Sequence, residues 1–133
     1  MRPSLDRREL AAIFLGGAAG ALLRVWLSEE FSGAAGAWPW VTFSINVSGS
    51  LALGYLITRL QDRLPQSTYR RPLLGTGFCG AFTTFSTMQL ELLRMIEYDR
   101  YGLAAAYAAA SVAAGYLAVW LASATVRRAR VIG

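Results

Sequence analysis

Apolar residues fill four long runs along the chain, roughly Leu10 to Leu27, Val41 to Leu60, Leu73 to Met95 and Leu103 to Val126. Each is near the ~20 residues that an α-helix needs to cross a bilayer. The stretches between them are short and carry turn and charge signals. Ser32-Gly33-Ala34-Ala35-Gly36 with Pro39 parts the first two runs, Asp62 to Pro72 the next two, and Glu97-Tyr98-Asp99-Arg100 the last two. The pattern predicts an all-α membrane protein with four transmembrane helices. Four crossings in 133 residues leave nothing for a soluble domain, so 1–133 reads as a single four-span transmembrane domain.

Composition agrees, at 55% hydrophobic and 16% charged residues. The net charge of +5 raises nucleic acid as a partner. Every basic residue is an arginine, however, and they flank the runs without forming a patch of interleaved aromatics. Orientation in a bilayer is the better reading, with no nucleic acid. Arg2, Arg7 and Arg8 precede the first run, Arg59, Arg63, Arg70 and Arg71 lie between the second and third, and Arg127, Arg128 and Arg130 follow the fourth. Arg24, Arg94 and Arg100 fall on the other side. By the positive-inside rule both termini are expected in the cytoplasm, in a multi-pass protein of the cell (inner or plasma) membrane. Arginines before an apolar run also fit a cleaved signal peptide, but Arg24 and Trp26 stand where a small-residue cleavage site belongs. The lone Cys79 reads as a small packed hydrophobe and permits no disulfide within one chain.

What the runs lack separates the mechanisms. The chain has no histidine and no lysine, and its acids (Asp6, Glu9, Glu29, Glu30, Asp62, Glu91, Glu97, Asp99) fall in connections or toward span ends. A proton-coupled transporter normally carries an ionisable relay at membrane depth. Glu91 is the one faint candidate, and it is expected near a membrane surface. A hydrolytic enzyme is equally hard to build, because nucleophile activation needs an adjacent base. Passive permeation fits best, and the protein reads as no enzyme.

Polar residues inside the runs mark the candidate site. Thr83, Thr84, Ser86 and Thr87 follow Gly75, Gly77 and Gly80, which weaken the helix and predict a broken third span. Irregular backbone at membrane depth is tolerated only where protein or a water-filled cavity receives it. Carbonyls freed by such a break attract hard cations, and two copies about a two-fold axis would double the ligands. Asn46 shares a helical face with Gly49 and Ser50, and its amide either donates to an anion or glues neighbouring helices. Tyr107, Ser111 and Gly115 recur at four-residue spacing, as a polar stripe or as a small-residue seam. Gly16, Gly20 and Arg24 recur likewise. The two glycines favour helix contact, while Arg24 either snorkels to the interface or concentrates anions at a vestibule. Phe82 and Phe85 are either core packing or ring edges whose positive potential greets an anion without holding it tightly.

On these residues the chain resembles the Fluc (CrcB) family of fluoride channels, over nearly its whole length. Gly16 to Arg24 resembles the family's first-span glycine-arginine motif, Thr42 to Asn46 followed by Gly49 its second-span motif, and Gly77 to Thr87 the signature of its broken third span. The resemblance implies passive export of cytoplasmic fluoride, protection against fluoride toxicity, and an antiparallel dimer with two pores and a central structural sodium ion at its interface. It implies that the backbone carbonyls of Gly80 and Thr83 hold that sodium. A fluoride path would run along Asn46, Phe85, Ser86, Thr87, Met88, Tyr107 and Ser111, with Thr84 a nearby hydroxyl and Arg24 and Thr42 in vestibule or structural places.

The chain departs from the pattern at Met88, where a second phenylalanine is usual, and at Ala81, where glycine is common. The family's serine track also fades into Ala113 and Gly115. The arginine bias favours one orientation and an antiparallel heterodimer with a homologous subunit of opposite bias, and an antiparallel homodimer stays open beside it. Two other functions are weighed. A small four-span multidrug-type transporter carries a membrane-embedded glutamate in its first span, absent here. A non-transporting membrane subunit would need no continuous polar path.

Overall fold

The structure, a computed structural model, describes residues 6–62 and 69–131. Helix α1 spans Arg7–Glu30, and the Asp6 carboxylate caps it by accepting from the Arg8 N–H at 2.9 Å. A loop with Gly36 at φ +76° leads to α2, Trp40–Asp62. A π-helical segment, Arg71–Cys79, runs into the single turn α3, Gly80–Phe82. Helices α4, Phe85–Glu97, and α5, Tyr101–Val131, complete the chain. No strand forms among the described residues. Helices α1, α2 and α5 each contain a stretch long and apolar enough to cross a membrane, and the chain is an all-helical membrane protein. All three enclose their predicted runs and overshoot them, because the backbone ladder continues into the polar flanks. Of the apolar window in α1 only 11% is buried within the chain, so most of its side chains face outward.

The third run does not form one continuous helix. Pro72 at its start cannot donate a backbone hydrogen bond, and the glycines behind it let the ladder widen, so that the Gly80 N–H reaches back to the Gly75 and Gly77 carbonyls. Beyond Phe82 the backbone becomes extended at Thr83 and Thr84.

Two backbone seams set the packing. The Leu73 and Phe78 carbonyls lie against Gly16 and Gly20, where any Cβ would overlap them, so α1 and the π-helical segment touch main chain to main chain, in parallel. The small-residue contact expected of Gly16 and Gly20 is therefore present. On the other side α2 and α5 run parallel with a constant offset of 65 residues. Ser50 faces Gly115, Gly54 faces Val119, and the Thr58 hydroxyl donates to Ser123 at 3.0 Å (115 − 50, 119 − 54 and 123 − 58). Contacts of Asn46 with Thr84, Gly49 with Thr83 and Leu53 with Gly75 run α2 antiparallel to the third run.

This topology starts α1 and the π-helical segment at the end where α2 and α5 finish. Arg7, Arg8, Arg59, Arg70, Arg71, Arg127 and Arg128 gather there, and the Tyr69 hydroxyl reaches Asp6 at 3.5 Å. Arg2, Arg63, the side chain of Arg130 and most of the Asp62 to Pro72 connection lie outside the described residues. Toward the opposite end Met95, Ala104 and Tyr107 form a core closed by Trp38, Phe43, Met88, Leu92 and Leu103. Helix α4 ends with Asp99 in the left-handed region at φ +56°, while the Arg100 N–H closes on Met95 at 2.8 Å.

Candidate functional site

The interruption after Phe82 is held open by side chains. In an unbroken helix the Thr84 N–H would donate to the Gly80 carbonyl and the Thr87 N–H to that of Thr83. Both donors are diverted. The Thr84 N–H donates to Asn46 Oδ1 at 2.8 Å, and Asn46 Nδ2 donates back to the Thr84 carbonyl at 3.0 Å. The Thr87 N–H donates to Thr84 Oγ1 at 3.2 Å, an N-cap that starts α4. Asn46 thus behaves as a substitute peptide group for the extended residue, and the helix-gluing role of its amide is the one seen. Arg24 Nε donates to the Ala81 carbonyl at 3.0 Å, so this arginine satisfies an acceptor at the break.

Among the described residues no donor meets the carbonyls of Gly80 and Thr83. Unpaired carbonyl oxygens are hard, neutral donors of the type an alkali cation takes. No cluster of three or more His, Cys, Asp or Glu competes for a metal among the described residues. Gly80 is exposed on the surface of the chain, where a second set of ligands has access to it.

A second cluster centres on Glu91. Its Oε1 accepts from the Thr42 hydroxyl at 2.6 Å and its Oε2 from the Tyr107 hydroxyl at 2.8 Å, tying α2, α4 and α5 together. Tyr107 and Thr42 are buried, and Glu91 is half-buried within the chain. Glu91 was not among the expected site residues. The available signal was spacing, since Thr84, Thr87 and Glu91 lie at i, i+3 and i+7 on one face. Thr87 and Glu91 line a cavity of about 330 Å³ together with Thr42, Trp38 and Arg94. Thr84 Oγ1 donates to Thr87 Oγ1 at 3.0 Å and lies 3.4 Å from Ser86 Oγ, which joins the interruption to this cavity.

The other expected residues are placed less uniformly. Phe82 is buried and stacked on Phe78, with centroids 5.7 Å apart, so its role is packing. Phe85 projects outward at 69% exposure. Met88 packs against the core around Tyr107 and fills volume there. Ser111, one turn beyond Tyr107, has a buried Oγ without a partner among the described residues. Cys79 is buried and free, as a packed hydrophobe would be.

Apolar crossing helices, an interruption held open by side chains and a hydroxyl-lined cavity define a small helical membrane protein, and the comparisons give its class. The family described as "CrcB-like protein, Camphor Resistance (CrcB)" matches residues 11–123, and the chain belongs to it. The fluoride-specific ion channel FluC 1 of Mycolicibacterium paratuberculosis is 59% identical over 126 residues, covering 95% of this chain and 96% of that one. FluC 1 of Mycobacterium tuberculosis is 57% identical over 129 residues, covering 97% and 98%. FluC of Acidobacterium capsulatum is 42% identical over 113 residues, covering 82% and 88%. The family is one of ion channels and not of enzymes.

Proposed function

We propose that this chain is a subunit of a fluoride-selective channel that lets cytoplasmic fluoride leave the cell down its gradient and so protects against fluoride toxicity. The observation that carries the reading is near-complete alignment at 59% identity with a fluoride-specific ion channel, across the stretch that holds the interruption and the Glu91 cluster. In this reading the third run is a broken fourth crossing, the whole chain is one domain in the cell membrane, and both termini are cytoplasmic. Two copies, or this chain and a homologue, pair antiparallel.

Sodium at the pair's centre would be held by the Gly80 and Thr83 carbonyls, and when bound it supplies a fixed positive charge between the chains. This chain's own residues handle the anion. Arg94 at the cavity mouth raises local anion concentration. Inside, Thr87, Thr42 and Tyr107 present hydroxyl donors, and the last two are held by Glu91. Fluoride competes with that carboxylate for the same O–H groups, which strips its water stepwise and keeps binding weak enough for release. Phe85 offers a ring edge at the chain's outer face, Asn46 keeps an amide N–H beyond its bond to Thr84, and Ser86 and Ser111 extend the polar path.

Fluoride efflux from liposomes containing the chain alone, set beside chloride efflux and an Asn46→Ala variant, tests this. Fast, fluoride-selective, mutation-sensitive efflux supports a homodimeric channel. Efflux that appears only on co-reconstitution with a homologue of opposite arginine bias supports the heterodimer. No efflux under either condition from folded protein overturns the channel reading.

A further inference from the structure

We propose that the notch between α2 and α5, at the arginine-rich end of the bundle, binds the phosphate of an anionic phospholipid. It encloses about 150 Å³ and is lined by Tyr55 and Arg59 from α2 and by Thr125, Val126 and Ala129 from α5. The parallel register of these helices brings the residues level, since Thr58 and Ser123 meet immediately beside them. Arg59 is already oriented. Its Nη1 donates to the Tyr55 hydroxyl, and its guanidinium carbon lies 5.6 Å from the centre of the Tyr55 ring.

A guanidinium carries five N–H donors, of which the Tyr55 hydroxyl takes one, and its planar fork matches phosphate oxygens in pairs. Among the described residues no acid lines the notch, and both Arg59 and Tyr55 are exposed. Arg127 and Arg128 follow on α5, also exposed, and add charge of the same sign. The remaining wall is apolar, from Val126 and Ala129, next to the outward-facing side chains Val119 and Trp120 farther along α5. A site with a cationic lip and an apolar wall suits a molecule with a phosphate at one end and an acyl chain at the other. Basic pockets between membrane helices take anionic headgroups on this physical ground. Inorganic phosphate shares the charge but leaves the apolar wall unused.

The test is native mass spectrometry of the full-length chain in detergent, titrated with a phosphatidylglycerol, a phosphatidylcholine and inorganic phosphate. Wild-type protein should retain phosphatidylglycerol at concentrations where phosphatidylcholine does not bind, and inorganic phosphate should not displace it. Arg59→Gln should raise the half-saturating lipid concentration about fivefold, the effect expected of one arginine at an anionic surface. Arg100→Gln, the same charge change at the opposite end, should leave it unchanged. Tyr55→Phe, which releases the guanidinium without removing charge, should weaken binding by a smaller factor and serves if Arg59→Gln fails to fold. Equal effects of the Arg59 and Arg100 changes, no effect of either notch variant, or displacement by inorganic phosphate would each overturn the proposal.

Discussion

Asn46 carries the most weight of any single residue in this chain. Its amide satisfies both main-chain groups of Thr84, and by occupying the Thr84 N–H it leaves the Gly80 carbonyl without its helical donor. Asn46→Leu keeps the volume and removes both bonds. The expected cost is about 1–3 kcal/mol from the stranded groups, read as a lower thermal midpoint in detergent, together with loss of fluoride efflux. Unchanged values for both would show that the break stands without the amide. At Glu91 the contrast is between two variants. Glu91→Ala strips partners from the buried Tyr107 and Thr42 hydroxyls and should cost about 1–3 kcal/mol, whereas Glu91→Gln retains hydrogen-bonding capacity toward both and should lose less than about 1 kcal/mol. Equal losses in chemical denaturation would rule out a supporting role for those bonds. The residue types at the break were legible in the sequence as a run of hydroxyls behind glycines. The pairing of Asn46 with Thr84 was not, because it joins residues 38 apart and depends on how α2 lies against the third run. The contacts of Glu91 were not legible for the same reason, since its partners Thr42 and Tyr107 come from two other helices.

Among the helices, glycine has opposite meanings at different places. Gly20 lies against the Phe78 carbonyl, with no room for a Cβ, whereas Gly102 in the first turn of α5 meets nothing within 4 Å. Gly20→Ala should therefore force α1 from the π-helical segment, at a cost of about 1–3 kcal/mol or more. Gly102→Ala should raise stability by roughly 0.5–1 kcal/mol through reduced backbone freedom. Thermal unfolding of the two variants side by side checks the pair, and a shift of the same sign in both would contradict the packing. Asp99 offers a third case. As the left-handed residue closing α4 it pays the strain that glycine avoids, so Asp99→Gly should stabilise by up to about 1 kcal/mol, less the contact from the Tyr101 hydroxyl. Three of the helices were readable from apolar length alone. The π-helical segment was not, since its nine residues are too few for the wider turn of an i→i+5 ladder to show in the apolar pattern, although the glycines that permit it stood out.

For the molecule as a whole, the gathering of arginines at one end is the feature with the widest reach. Seven of them sit where α1 and the π-helical segment begin and α2 and α5 finish. A chain so biased should insert one way, with that end in the cytoplasm. Reporter tags on the C-terminus of the chain expressed alone should therefore give a single orientation, and equal populations of both would remove the case for a partner of opposite bias. The outward faces of the bundle, including Phe14, Leu22, Val112 and Tyr116, are strongly apolar and exposed within one chain. Length foretold the three crossing-length helices, and the order of arginines along the chain foretold their gathering at one end of the bundle. Periodicity does not distinguish an outward face that meets lipid from one that would meet a protein, since both neighbours are apolar.

The constant offset of 65 residues between α2 and α5 bears on how this chain tolerates change in length. Its three contacts lie at four-residue steps along both helices, so they share one phase. A single residue gained or lost inside either helix turns everything beyond it by ~100° and shifts it ~1.5 Å. Gly54 would then face a different side chain, and Thr58 would lose Ser123. Residues added between the helices leave the phase untouched. Deletion scanning should accordingly find the region from Ser50 to Thr58 and from Gly115 to Ser123 intolerant of a one-residue change, with the Ser32 to Ala35 loop accepting the same change.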